Sequence, residues 1–359
     1  MGGQPPRAPA GGGGSDVRGD GRRGAGEVGV RSGGALALIP VRTADGWTIH
    51  LHPHSPGGAA AAACDPERPV LLLSPGMMLS GRSLDRPRGR GMASFFARRG
   101  HPVYLLDLRG HGASRPAAAE GGDWTYDEIV AFDVPAAIEA VAALHPGRRL
   151  VWIGHSLSAH AGAAAFGQRP DLPLAASVLI SPVVWMRCHE PSAPVWLAKR
   201  LTLWAWWRLT AAVGHMPARR LRIGSDDEAP GYVRQFVEWA RADAWLSRPE
   251  PPGPPHPWTG RVDYLAGLAR VRWPVLVVNA KGDRWISRAA CVRRFAAAFT
   301  AAEVTFWELG RCELGLSRRR MPLEPGHMTL VKDARAAGAW ERIAGWLDDL
   351  RGGQAEPAN

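Results

Sequence analysis

Cysteine is scarce in this chain and lysine is almost missing. The four cysteines, Cys64, Cys188, Cys291 and Cys312, are scattered, and no Cys-x-x-Cys pair occurs. A zinc cluster of the usual spacing and a disulfide frame are therefore excluded, and the thiols read as reduced packing residues of a cytosolic protein. Nearly all of the 44 Lys and Arg residues are arginine, against 33 Asp and Glu. The resulting net charge of +11 comes with abundant Ala, Gly and Pro, a joint bias that looks like a GC-rich genome writing its surface charge as arginine. The arginines form no block interleaved with aromatics, as a single-strand groove would require, so no nucleic-acid partner is expected. No run approaches the roughly 20 apolar residues that cross a bilayer. No apolar h-region follows the N-terminal arginines, so no secretory leader is expected and the location expected is cytoplasmic.

What the chain does have is the composition of a globular protein, 46% hydrophobic and 21% charged. Its 359 residues suffice for one large α/β domain with an insertion. Residues 1 to about 34 are rich in Gly, Pro and Arg and lack hydrophobic periodicity, which predicts a disordered tail. Beyond them strands and helices alternate. Ala35 to Val41 and Trp47 to His52 pair across Ala44-Asp45-Gly46. Further strands are expected at Pro69 to Leu73, Pro102 to Leu106, Arg149 to Ile153, Ala176 to Ile180, Pro274 to Asn279 and Glu303 to Leu309. Helices are expected at Gly91 to Arg99, at Tyr126 to Leu144 with a kink or restart at Pro135, and at Ala336 to Leu350. This alternation predicts a mostly parallel α/β sheet with helices on both faces. The core spans 35–181 and 271–352. From 182 to 270 the alternation stops in a stretch rich in tryptophan, with a Pro-rich hinge at Pro251 to Pro257. That stretch reads as a helical cap or lid inserted over the strand ends.

The pentapeptide Gly154-His155-Ser156-Leu157-Ser158 sits between an apolar strand and an Ala/Gly-rich helix. A strand–elbow–helix of this kind lifts the Ser156 hydroxyl out of the backbone as a nucleophile. The usual fifth residue is glycine; Ser158 is a small substitute. A serine needs a base and an orienting acid. Asp283 follows the strand Val275 to Val278, in a loop where a carboxylate can accept an imidazole N–H. His327, in Pro325-Gly326-His327-Met328, is the candidate base, since imidazole takes and returns a proton near neutral pH. Backbone N–H groups of Leu157 and Met77 are the candidate oxyanion hole, with Met78 as the alternative to Met77. Asp107 and His111 read as structural residues of a turn beside the site. His50, His52 and His54 alternate along one strand face and read as a solvated strand end, a metal site being the other option. In Val195 to Thr210, Trp196, Leu203, Trp204 and Trp207 share a helical face interrupted by Arg200 and Arg208. These rings either pack the cap on the core or line an acyl-chain pocket or interfacial lid.

Ser74-Pro75-Gly76-Met77, Asp107-Leu108-Arg109-Gly110-His111-Gly112, the Ser156 elbow, Gly282-Asp283 and Gly326-His327, in this order, resemble the α/β-hydrolase superfamily from about residue 35 to 350. Gly214-His215-Met216-Pro217, Asp226-Asp227-Glu228 and Glu238-Trp239-Ala240 resemble a branch of predicted bacterial hydrolases whose substrates are unassigned. The resemblance implies an acyl-enzyme mechanism on esters, thioesters or related bonds. The expectation is a serine hydrolase, an esterase or lysophospholipase-like enzyme, with no metal or organic cofactor. Its substrate is a small-molecule or lipid-like acyl compound, with at most peripheral membrane contact through the cap; the sequence does not set the oligomeric state. Acyl transfer to an acceptor other than water, and a catalytically silent binding protein on the same scaffold, are the alternatives.

Overall fold

The computed structural model describes Gly2 and residues 37–55, 64–249, 258 and 260–352. Apart from Gly2, the expected tail over residues 1 to about 34 lies outside these, as does the expected hinge Pro251 to Pro257. Contacts within the chain separate Met1–Ser32 from Gly33–Asn359, and the fold is that of the second unit.

Eight strands form one sheet: β1 (Ile39–Arg42), β2 (Thr48–His54), β3 (Val70–Ser74), β4 (Val103–Asp107), β5 (Leu150–His155), β6 (Ala176–Ile180), β7 (Val275–Ala280) and β8 (Val304–Leu309). Their spatial order is β1-β2-β4-β3-β5-β6-β7-β8. From β4 to β8 all neighbours are parallel, while β2 runs antiparallel to both β1 and β4. The helices are α1 (Met92–Arg98), α2 (Tyr126–Glu128), α3 (Val134–Leu144), α4 (Leu157–Gln168), α5 (Ala193–Val213), α6 (Pro230–Ala242), α7 (Tyr264–Gly267), α8 (Ala289–Ala296), α9 (Thr329–Lys332) and α10 (Ala337–Gly352).

The central strands are buried along their whole length, as continuous apolar runs in a two-faced parallel sheet must be. Their side chains still alternate. Leu71, Leu73, Val151, Ile153, Leu276 and Val278 pack with Phe96, Trp340 and Ile343 of α1 and α10. Val70, Leu72, Trp152, Val275 and Val277 pack on the other face with α3, α4 and α8.

Two helical expectations change in detail. The helix expected from Tyr126 to Leu144 is broken by a π-helical turn, Ile129–Asp133, before α3. Pro135 is then the second residue of α3, directly after the π turn. On α5, Trp196 and Leu203 are buried, but Trp204 is 56% exposed. At 100° per residue, Leu203 returns to the Trp196 face and Trp204 turns away from it. Of the cysteines, Cys291 is buried and Cys64, Cys188 and Cys312 are exposed, so packing accounts for only one thiol. Among the described residues no helix is long and apolar enough to cross a membrane.

Candidate active site

The sequence candidates lie beyond the carboxyl ends of parallel strands, where open α/β sheets assemble their sites. Ser74 ends β3, and Pro75-Gly76-Met77 follow it. Ser156 is the turn between β5 and α4, Asp283 comes three residues after β7, and His327 lies between β8 and α9.

The turn at Ser156 is the local feature that lifts the candidate hydroxyl clear of the backbone. Its φ of 51° and ψ of −112° are unfavourable for a side-chain-bearing residue. Two things hold it: the Ser156 N–H donates to the Ile180 carbonyl at 2.9 Å, and the approach of the Pro75-Gly76 loop leaves no room on one side. A Cβ at Gly76 would sit 3.0 Å from His155 Nδ1 and 3.2 Å from Ser156 Cβ. Glycine lets the loop lie against the elbow, where any side chain would have to displace these atoms by a few tenths of an ångström.

Ser156, His327 and Asp283 are brought together. His327 Nε2 lies 2.8 Å from Ser156 Oγ, and His327 Nδ1 lies 2.6 Å from Asp283 Oδ2. Burial alone would push the Asp283 carboxyl up. The hydrogen bond and charge of His327, with amides of Ser287 and Ile286, outweigh it and hold Asp283 below the usual carboxylate range. The carboxylate is thus an anion aimed at Nδ1, with Nε2 turned to the Ser156 hydroxyl.

Leu157 is the first residue of α4 and Met77 follows Gly76. Among the described residues the amides of Met77 and Leu157 donate to no protein acceptor. The Met78 amide is engaged, donating to Glu228 Oε1 at 2.7 Å. Of the two amides offered by the sequence, the Met77 N–H is thus without a protein acceptor among the described residues and the Met78 N–H is occupied.

Three residues contribute in ways the sequence did not reveal. The Ser158 hydroxyl donates to the Pro75 carbonyl and accepts from Ser74 Oγ at 2.7 Å, so the departure from the usual glycine ties the elbow to the loop that carries Met77. His155 Nε2 donates to the His327 carbonyl at 3.1 Å. Burial, then the neighbouring His327, push His155 well below its ordinary range, so it is neutral. Glu228, from the segment between β6 and β7, meets His111 Nε2 at 3.1 Å.

Asp107 accepts from the amides of Gly81 and Ala113 and pairs with His52 at 2.6 Å. His54 approaches Ser94 Oγ at 2.9 Å and Asp85 at 3.7 Å. His52 and His54 therefore have side-chain partners, where the sequence offered none and implied a solvated end, while among the described residues His50 is tied only through its backbone, its N–H donating to Ser114 Oγ at 2.9 Å. Buried Arg109 pairs with Asp133 at 2.7 Å and Asp45 at 2.8 Å, fixing the turn that follows β4.

A family profile described as serine aminopeptidase, S33, matches residues 67–308. Triacylglycerol lipase 2 of Arabidopsis thaliana is 27% identical over 180 residues, 46% of this chain and 43% of the plant protein. Human gastric triacylglycerol lipase is 27% identical over 139 residues, 37% of this chain and 35% of the lipase. The match thus spans less than half the length of these relatives. Among solved structures, a thermophilic esterase from Thermogutta terrifontis aligns with a TM-score of 0.52 at 15% identity, over 88% of this chain and 99% of the esterase. An esterase from Pyrococcus furiosus aligns with a TM-score of 0.52 at 13% identity, over 87% of this chain and 90% of its own. These structural likenesses speak to fold.

Proposed function

This chain belongs to the serine aminopeptidase S33 family of the α/β-hydrolase superfamily, and from that premise we propose that it is a serine hydrolase that cleaves an ester-type acyl bond, an esterase or lysophospholipase-like enzyme. The observation that carries the reading is the unbroken run of hydrogen bonds Asp283–His327–Ser156, at 2.6 and 2.8 Å. His327 Nε2 takes the Ser156 proton as Oγ attacks the acyl carbonyl carbon. The Met77 and Leu157 amides hold the oxyanion, each such donor lowering the barrier by roughly 3–4 kcal/mol. The leaving alcohol departs with the proton from His327. Water, deprotonated by the same nitrogen, then attacks the acyl-enzyme and releases the acid.

In this reading residues 182–270 are the cap. Support comes from Trp206 of α5, stacked on Trp185, which meets Trp285 edge-on at 5.9 Å; Trp285 lies two residues beyond Asp283. Aromatic walls so close to the acid suit an apolar acyl portion. The substrate is accordingly a small-molecule or lipid-like acyl compound, the class named for the lipase relatives. The family description also raises aminoacyl bond cleavage, which would proceed through the same acyl-enzyme.

The test is fluorophosphonate labelling of the wild type beside Ser156→Ala, then p-nitrophenyl esters of graded chain length beside aminoacyl p-nitroanilides. Labelling of the wild type alone, with turnover of esters, is expected. Equal labelling of both proteins, or none of the folded wild type, would refute an activated Ser156. Turnover of the anilides alone would replace the ester reading by the peptidase one.

A further inference from the structure

The loop that supplies Met77 has a strained neighbour. Met78 has a φ of 62°, a conformation that costs a non-glycine residue about 1–3 kcal/mol unless its surroundings impose it. The surroundings come from one short stretch of the segment between β6 and β7. The Met78 N–H donates to Glu228 Oε1 at 2.7 Å. Its carbonyl accepts from the amides of Ser225 and Asp226, at 2.9 and 3.1 Å. A Cβ on Gly224 would overlap the Cβ and carbonyl of Met78, so only glycine lets this stretch lie against the loop.

Glu228 is itself held. It is fully buried and sits in an antiparallel bridge with Met216, exchanging backbone hydrogen bonds at 2.9 and 3.2 Å. His111 Nε2 meets the same Oε1, and His111 Nδ1 lies 2.8 Å from the Arg109 carbonyl. The Gly112 amide donates to Asp226 Oδ1 at 3.0 Å. Two loops of the sheet, after β3 and after β4, are therefore gripped by residues 224–228. A buried carboxylate facing a buried imidazole is an expensive arrangement unless both are oriented for it. The backbone amide it serves adjoins the candidate hole.

We propose that Glu228, held in place by His111, is a positioning residue for the oxyanion hole: by fixing Met78 in its left-handed conformation it aims the Met77 N–H at the developing oxyanion. The proposal rests on the serine-hydrolase reading above. It implies that the chemistry, and not substrate binding, feels the loss of Glu228, because the Met77 donor is used only when negative charge develops.

The experiment compares wild type, Glu228→Ala and Glu228→Asp for kcat and KM on the best p-nitrophenyl ester and for Ki of a trifluoromethyl ketone with the same acyl chain. Ser156 Oγ adds to that ketone, passing its proton to His327, and the resulting hemiketal oxyanion occupies the hole. Expected for Glu228→Ala is a kcat lower by about 10- to 100-fold, a KM within about 3-fold and a Ki raised in step with the loss in kcat. Glu228→Asp keeps a carboxylate to offset His111 but draws the shared oxygen back from Met78 and His111 alike, and is expected to show the same parallel loss should Glu228→Ala fail to fold. Ki reads only folded molecules, so a role confined to stability would leave it unchanged. An unchanged Ki, or a loss appearing in KM alone, overturns the positioning role while leaving Ser156 as nucleophile. A wild type that neither binds the ketone nor reacts with fluorophosphonate overturns both.

Discussion

Ser158 occupies the elbow position where glycine is usual, and its replacement by alanine is informative because only a hydroxyl changes. In the wild type Ser74 Oγ donates to Ser158 Oγ, which in turn donates to the Pro75 carbonyl. Ser74 and Ser158 are both fully buried, so water does not replace what is lost. Ser158→Ala strands one buried donor and one buried acceptor. At about 1–3 kcal/mol for each such group, with partial relaxation, the cost is about 2–4 kcal/mol. A melting entropy of about 2.1 cal/mol/K per residue over a fold of roughly 300 residues converts this to a drop of about 3–6 °C. Ser158→Gly should fall further, by about 1 kcal/mol, because glycine is poor inside a helix. The same bond restrains the loop before Met77, so kcat should fall by about 10-fold with KM nearly unchanged. Calorimetric melts and initial rates on a p-nitrophenyl ester, normalised by active-site titration, read both effects. A variant melting within about 1 °C of wild type would refute the reasoning, since the two stranded groups would then have found other partners.

Gly76→Ala places a methyl 3.0 Å from His155 Nδ1 and 3.2 Å from Ser156 Cβ; a destabilisation of about 1–3 kcal/mol and a rate loss of at least about 10-fold are expected, and a fully active variant in the ester assay would contradict the close approach. Thermal stability should peak near neutral pH. Burial would lower His111, but Glu228 and Asp226 outweigh it and raise it to about 9 from 6.5, so its stabilisation is complete below pH 6.5 and is lost as pH rises through 9, by about 3 kcal/mol. Burial lowers His160 to about 3 and also lowers His155, so below pH 6.5 the unfolded chain gains protons that the folded one refuses, and stability falls on that side too. Melts from pH 6.5 to pH 8.5 on wild type and His111→Asn should show the fall in wild type alone, because the raised Cys291 and tyrosines add a fall common to both proteins only at higher pH; a flat wild-type curve over that range would count against a charged His111.

The sheet was legible because its strands are apolar runs bounded by Pro, Gly or charge. Ala176–Ile180 appears as read, and Val70–Ser74, Val103–Asp107 and Val275–Ala280 shift by one residue. Helix α8 was not read, because Ala289–Ala296 carries two adjacent arginines and only eight residues, too short for periodicity to speak. The candidates Ser156 and Asp283 could be picked out because each lies within three residues of a strand end, and His327 because Pro325-Gly326 precedes it in the connection between the last strand and the last helix. Glu228 was not. Its partner Met78 is 150 positions away, and nothing local to Asp226-Asp227-Glu228 distinguishes a buried clamp from a solvated acidic turn. Ser158 was visible as a departure from pattern, but its reason lay in Pro75, on another strand's loop.

Strands β6 and β7 pair directly, Ser177 with Val275 through Ile180 with Val278, although the whole stretch with α5, α6 and α7 separates them in the chain. The sheet does not register the interruption, which invites treating the stretch as an interchangeable cassette for changing substrate range. The grip on Met78 qualifies that. A donor segment spliced between Ile180 and Val275 would have to bring its own equivalents of Gly224, Ser225 and Glu228, or the graft would leave the loop of Met77 and Met78 without the partners that hold it.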